Sequence, residues 1–422
     1  VTRDIALAAP QAVVPRAFAY ERLVEALFVA FIFFGMMSVI EPSPYDFLTL
    51  LAVPAWFLGG FKLHQSAVPI LLLWIVFEVA GFLSLMPHWD DAEARLYQFQ
   101  SLYLFVTVVF FTIFFGERTL RRSDLCLRAF TAGAVVSAIV GIAGYVDFAG
   151  LGPILTTVEG RVSGTFKDPN VFGSYLILAA TFLMQRILLG TSKHMLLTAC
   201  NLFIVIGGVF VSYSRGSWGA TILALITMTV AAFFTAETPR VRRRIAVTAL
   251  AVVAVAGLGV LLALSDENVR DFFFQRATLL QDYDEGATGR FGNQIRSLPM
   301  LLDLPEGFGP LRFRRVFDLE PHNSYIGAFA NDGWIGGFAW IWIVLMTGFV
   351  GFRLMFVASP YRRLAQVFWP ALFSLLLQGF QIDVDHWRQL FLCCGAVWGL
   401  EAARLRWLAK TPTEARAPAV AS

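Results

Sequence analysis

Twelve stretches of this chain are continuous apolar runs, most of them about as long as a bilayer is thick. As an α-helix, about 20 apolar residues cross a hydrocarbon core about 30 Å thick. A barrel would need alternating apolar and polar residues instead. The runs lie at 23–40, 46–61, 67–86, 97–115, 129–149, 171–188, 195–212, 217–234, 245–264, 334–356, 364–381 and 389–407. The second is short and holds Pro54, Gly59 and Gly60, so a kink or an incomplete crossing is expected there. Only 15% of the residues are charged, against about 25% in a soluble domain. The expected fold is therefore all-α: a polytopic helical membrane protein with about twelve transmembrane helices. The first run follows Arg16 and Arg22 and is long enough to span, which reads as a signal anchor.

Lysine and arginine collect on the cytoplasmic side of membrane proteins. With the N-terminus inside, 21 of the 33 fall in cytoplasmic segments, five in short outer loops and seven in one long outer loop. Both termini are then cytoplasmic. The expected organisation is a cytoplasmic segment 1–22, nine helices over 23–264, a large periplasmic loop over 265–333, three helices over 334–407 and a disordered tail 408–422. Within the loop, Asn268 to Asp282 and Ile295 to Leu302 read as interfacial helices. The net charge of +3 gives no reason to expect a nucleic-acid partner. Cys126, Cys200, Cys393 and Cys394 have no metal-ligand spacing and read as small apolar fillers.

Polar residues concentrate at the outer ends of the runs. Arg161 and Lys167 lie in G-R-V-S-G-T-F-K-D-P-N, where Asp168 reads as a helix N-cap and Pro169 as the first helical residue. Arg215 follows in V-S-Y-S-R-G-S-W, in a tight turn with Gly216, and Arg290 stands between two glycines in T-G-R-F-G. Snorkelling or a salt bridge accounts for any one such arginine. Taken together they suit a phosphate or diphosphate headgroup, which guanidinium binds by forked hydrogen bonds. Arg312, Arg314 and Arg315 read more simply as a solvated or headgroup-facing face.

His322, in E-P-H-N-S-Y-I, is placed at the N-terminus of a short helix broken at Asn331-Asp332-Gly333. The positive end of a helix dipole disfavours a charged imidazole, and a neutral one accepts a proton. The alternatives are a general base or a histidine that caps the helix or bonds a carbonyl. Asp383, Asp385, His386 and Arg388 crowd the turn between the last two runs. They form either a structural network of Asp385 with Arg388 or a shell that orients His322 or an arginine. His88-Trp89-Asp90-Asp91-Ala92-Glu93 could hold a divalent metal, although acids before a helix more simply cap it.

The run order, the G-R-V-S-G-T-F-K-D-P-N-V-F-G segment, the S-R-G turn, the G-R of the large loop, and P-H-N-S-Y followed by N-D-G-W-I-G-G resemble the O-antigen ligase family. That family includes O-antigen and exopolysaccharide polymerases. The resemblance covers about residues 20–407 and implies a GT-C-like membrane glycosyltransferase of the bacterial inner membrane. It implies transfer of a glycan from undecaprenyl diphosphate to an acceptor hydroxyl, without cofactor or metal. The acceptor is lipid A-core for a ligase, or another lipid-linked repeat unit for a polymerase. It implies that His322 activates the acceptor and that Arg215 and Arg290 hold the diphosphate, with Arg161 and Asp385 as further matches; Lys167 and Arg388, beside them in the same two turns, are read as further substrate-binding candidates. The competing class is a transporter or flippase of lipid-linked saccharide. Such proteins usually show repeated halves and polar groups at the midplane, whereas here the polar groups gather at one face.

Overall fold

The computed structural model describes residues 15–278, 286 and 288–410, with side chains from residue 20 onward. Residues 1–14, the 279–282 end of the first expected interfacial helix, and the tail beyond Lys410 lie outside them. Sixteen α-helices follow one another among the described residues: α1 Pro15–Phe34, α2 Pro44–Leu58, α3 Val68–Leu85, α4 Ala92–Gly116, α5 Thr119–Tyr145, α6 Gly152–Leu155, α7 Pro169–Leu189, α8 Met195–Val211, α9 Arg215–Phe234, α10 Pro239–Ala263, α11 Glu267–Ala277, α12 Arg290–Asp303, α13 Phe313–Phe317, α14 Ser324–Phe356, α15 Arg362–Gln378 and α16 Arg388–Lys410. Each apolar run falls on one helix. Among the described residues, seven helical segments are long and apolar enough to cross a membrane, and α2 and α8 are shorter apolar helices. The protein is a polytopic all-α membrane protein. At a 1.5 Å rise per residue, the 15 residues of α2 reach about 22 Å, short of a full crossing.

The helix starts are written in the sequence. Asp168 accepts from the N–H of Asn170 and Pro169 is the first residue of α7. Asp91 caps α4, and Ser43 with Asp46 forms a capping box on α2. The core is aromatic and aliphatic, running from Phe28, Phe31 and Phe111 to Phe368 and Val397. Helix α4 packs along α16, α3 along α14, and α7 against α8 and α9. Helix α10 is the outlier, with Ile245 its only buried residue, so nearly all its apolar surface is left for lipid. Glu78, midway along α3, is buried and accepts from Ser101 at 2.8 Å and Gln98 at 3.2 Å.

The connections gather at two ends of the bundle. At one end Arg406 donates to the carbonyls of Gly116 and Lys62, Gln185 to that of Arg363, and Arg121 pairs with Glu25. These are the arginine-rich connections. At the other end Arg388 meets Met37 and Asp46, Arg161 meets Ser212, and Ser84 donates to Glu306. The long α10–α14 connection lies at this second end. It carries α11, α12 and α13, and its Leu301, Phe313 and Phe317 form a small core with Ala330 of α14.

Helix α14 bends at Gly333, whose φ of 67° and ψ of −168° break the helix. Only glycine fits: a Cβ there would lie 2.5 Å from the Pro305 carbonyl. The groups freed by the break are taken up by the loop beside it. Ala330 O accepts from Phe308 and Gly309, and the N–H of Trp334 donates to Pro305 O. The long loop is thus fastened to α14 on both sides of the break, within about three turns of His322.

Candidate functional site at the loop-bearing end

Two turns at this end are built alike. In each, a left-handed residue precedes a polar N-cap, and a helix starts immediately. In the first, Tyr213 has φ 48° and Ser214 caps α9, with Arg215 the first helical residue. In the second, His322 has φ 46° and Asn323 caps α14, accepting from Tyr325 and Ile326. A left-handed non-glycine residue is held there only by its surroundings. Both side chains of interest are therefore fixed by backbone geometry that the cap and the packing impose.

A chain of hydrogen bonds joins the two turns. Arg161, buried, donates from Nη2 to Asn170 Oδ1 at 2.8 Å and from Nε to Ser212 O at 3.3 Å. Ser214 donates to the same Oδ1 at 2.7 Å. Ser217 lies 2.9 Å from both Ser214 and Ser174, and Ser174 donates to Gln378 Oε1 at 2.9 Å. Gln378 ends α15 and opens the 379–387 turn. That turn receives the second half of the site. Ser324 N donates to Gly379 O, Asn323 Nδ2 to Phe380 O, and Arg290 Nη1 to Gln381 O at 3.1 Å. Asp383 accepts the N–H of Asn323 at 2.9 Å and faces His322 Nδ1 at 3.5 Å. Arg161, Arg290 and His322 thus share one bonded framework, although 161 residues separate the first from the last; it also fixes the Ser214 cap before Arg215, whose own guanidinium donates to Thr278 O in the long loop.

The electrostatics differ across the 379–387 turn. Burial pushes the Asp383 carboxyl above its usual range, against the hydrogen bond of His322. Burial and the charge of Asp383 raise Glu320 as well. Asp385 behaves oppositely. Burial alone would raise it, but His386 at 3.2 Å and the hydroxyl of Tyr97 at 2.9 Å outweigh that and hold it below the usual carboxylate range. Burial alone would lower His386, but Asp385 holds it above its usual value. The Asp385–His386 pair is a buttress under the turn. It reaches α14 through Ser324 and through Tyr97, which accepts from Asn331 at 3.1 Å.

Several expected partners differ. Asp385 and Arg388 form no network with each other. Arg388 opens α16 and turns the other way, making a two-pronged pair with Asp46 at 2.8 and 3.0 Å over the ring of Tyr45. Lys167 is exposed and pairs with Glu41 at 3.0 Å. Neither Arg388 nor Lys167 joins the framework. The loop arginines are not a free solvated face: Arg312 and Arg315 meet Asp91 at 3.3 and 2.6 Å, and Arg314 meets Glu93 and Glu320. The acidic turn at 90–93 is therefore engaged in capping α4 and in clamping the loop. His322 does not cap its helix, because Asn323 does so.

With this geometry in place, one comparison bears on it. Residues 200–341 match the family model described as O-antigen ligase. The match supports placing the chain in the O-antigen ligase family. No curated protein matches the chain. The O-antigen ligase match spans Arg215, Arg290 and His322, while Arg161, Lys167, Asp383, Asp385 and Arg388 fall outside it. It indicates ligase- or polymerase-like glycan transfer in polysaccharide assembly.

Sequence reasoning passed over Asn170, Ser174, Ser217, Gln378 and Tyr97 as members of the site. The signal was present: each is a polar side chain in a helix otherwise apolar enough for lipid, where polar groups are kept for a partner. Their pairing across four helices could not be read from spacing.

Proposed function

We propose that this protein moves a glycan from undecaprenyl diphosphate to an acceptor hydroxyl at the periplasmic face of the bacterial inner membrane. The observation that carries the reading is the His322–Asp383 pair held in one framework with Arg290 and Arg161, which also caps the helix that Arg215 opens. With Nδ1 facing Asp383, His322 keeps Nε2 as the proton acceptor. The acceptor oxygen attacks the anomeric carbon, its proton passes to Nε2, and the bond to the diphosphate oxygen breaks. Undecaprenyl diphosphate leaves with the added negative charge. Arginines already in place stabilise that charge where it develops. One-step displacement predicts inversion at the anomeric carbon. Helix α12 supports the donor side of the reading: it buries Asn293, Gln294 and Ser297 and exposes Ile295, Leu298 and Leu302. An apolar outer face suits the bilayer surface and puts Arg290, at the helix start, at headgroup level.

The test uses purified protein in detergent with undecaprenyl-diphosphate glycan, lipid A-core or lipid-linked repeat as acceptor, and a chelator. Transfer that persists with chelator and falls at least about a hundredfold in His322→Ala and Arg215→Ala is expected. Full activity in both variants, or retention of anomeric configuration, overturns the reading. Translocation of lipid-linked glycan across vesicles without a covalent product would favour the transporter class.

A further inference from the structure

The opposite end of the bundle holds a cavity of about 840 Å³ that the glycan-transfer reading does not use. It opens between the α4–α5 corner and the end of α16. Its cationic lining is Lys62, Arg118, Arg121, Arg406 and Lys410, set against the single carboxylate of Glu117. Two of these cations are already balanced, Arg118 by Glu21 and Arg121 by Glu25. Arg406 is bonded to the carbonyls of Gly116 and Lys62, so its guanidinium is held in position across the cavity wall. Lys62 and Lys410 are exposed and have no ion-pair partner among the described residues. Tyr361 and Trp407 complete the wall, the two residue types whose amphipathic rings favour the headgroup level of a bilayer.

We infer that this cavity binds the phosphate headgroup of an anionic membrane phospholipid. The chemistry required is a phosphodiester anion with its charge at the membrane surface and its acyl chains in the adjoining bilayer. A pocket with uncommitted ammonium groups, a fixed guanidinium and aromatic rims supplies the complement. The positive charge left over on this wall would otherwise repel itself. A bound anion relieves that repulsion and ties α4, α5 and α16 together where they meet. The inference rests on the membrane fold and is independent of the proposed reaction.

Native mass spectrometry of the full chain released from detergent, titrated with phosphatidylglycerol or phosphatidylcholine, reads the site directly. The expected result is one tightly retained phosphatidylglycerol and about tenfold weaker binding in the Lys62→Gln/Lys410→Gln double variant. Lys193→Gln, which removes an exposed cation at the same end outside the cavity, should bind as the unaltered protein does. Thermal melting of the double variant checks that it is folded. Equal retention of the two lipids, or equal binding by the folded double variant, overturns the inference. So does inorganic phosphate displacing the lipid at comparable concentration, which would assign the cavity to a free anion.

Discussion

Arg161 and Ser214 donate to the same atom, Oδ1 of Asn170, at 2.8 and 2.7 Å. One amide oxygen thereby fixes a buried guanidinium and the cap of the helix that begins with Arg215. Asn170→Ala should release both. A buried donor left without its acceptor costs about 1–3 kcal/mol, and transfer should fall about tenfold to a hundredfold through misplaced arginines. Asn170→Asp keeps the acceptor and should retain more activity than Ala. Transfer kinetics with melting temperatures would check both.

Gly216 tests the link between the two turns. A Cβ at this position would lie 2.9 Å from Gln378 Nε2, so alanine pushes the side chain that receives Ser174. Gly216 is the second residue of α9, where alanine still favours the helix, by less than the about 1 kcal/mol of an interior position. Gly216→Ala should therefore leave melting temperature level or raised while transfer drops severalfold. A loss of both together would point to simple misfolding.

Asp383 is expected to orient His322 rather than to touch substrate. Asp383→Asn should lower kcat about tenfold to a hundredfold with little change in KM. Burial holds the Asp383 carboxyl above its usual range, so its protonation should appear in the acid limb of the rate profile above about pH 4. The asparagine variant should lack that step. An unaltered pH profile would leave Asp383 a purely structural role.

The fold was legible because lipid imposes a single rule, apolar runs as helices, and each of the twelve runs falls on a helix, seven of them in segments long and apolar enough to cross among the described residues. The α7 cap at Asp168–Pro169 and the break at Gly333 were equally readable, since local backbone demands dictate them. Pair assignments were not. Asp385 and Arg388 are three residues apart and of opposite charge, yet the helix start at Arg388 turns its side chain toward Asp46, 342 residues away in sequence. Asp91 and Arg315 lie 224 apart and meet only because the long loop folds back over the start of α4. Proximity along the chain was informative for caps and for the adjacent Asp385–His386 pair, and misleading for Arg388 and the loop arginines.

The buttress should make stability depend on pH. The His386 value is raised in the folded state by Asp385. Its contribution is then fully present below about pH 6.5, the unfolded value, and is lost as pH rises through the folded value. The melting temperature should decline as pH rises above about 6.5, and His386→Gln should flatten that decline. An identical slope in the variant would exclude His386 as its source.

The loop clamp responds in the other direction. Against partial desolvation, the N–H groups of Ala94 and Glu93 and the guanidiniums of Arg315 and Arg312 hold the Asp91 carboxyl below its usual value. A depressed carboxyl stabilises above its unfolded value and loses that contribution as pH falls below about 3.9 through the folded value. Asp91→Asn removes the charge at every pH and unpairs two arginines. Trypsin cleavage after Arg312 or Arg315 at neutral pH should then run severalfold faster than in the unaltered protein. High salt, which screens exposed ion pairs, should narrow the difference. The cut is expected within 311–315, because α12 is separately held by Gln294 on Pro321 and by Trp334 on Leu301. Cleavage at equal rates would mean that the apolar contacts of Phe313 and Phe317 hold the loop without the clamp.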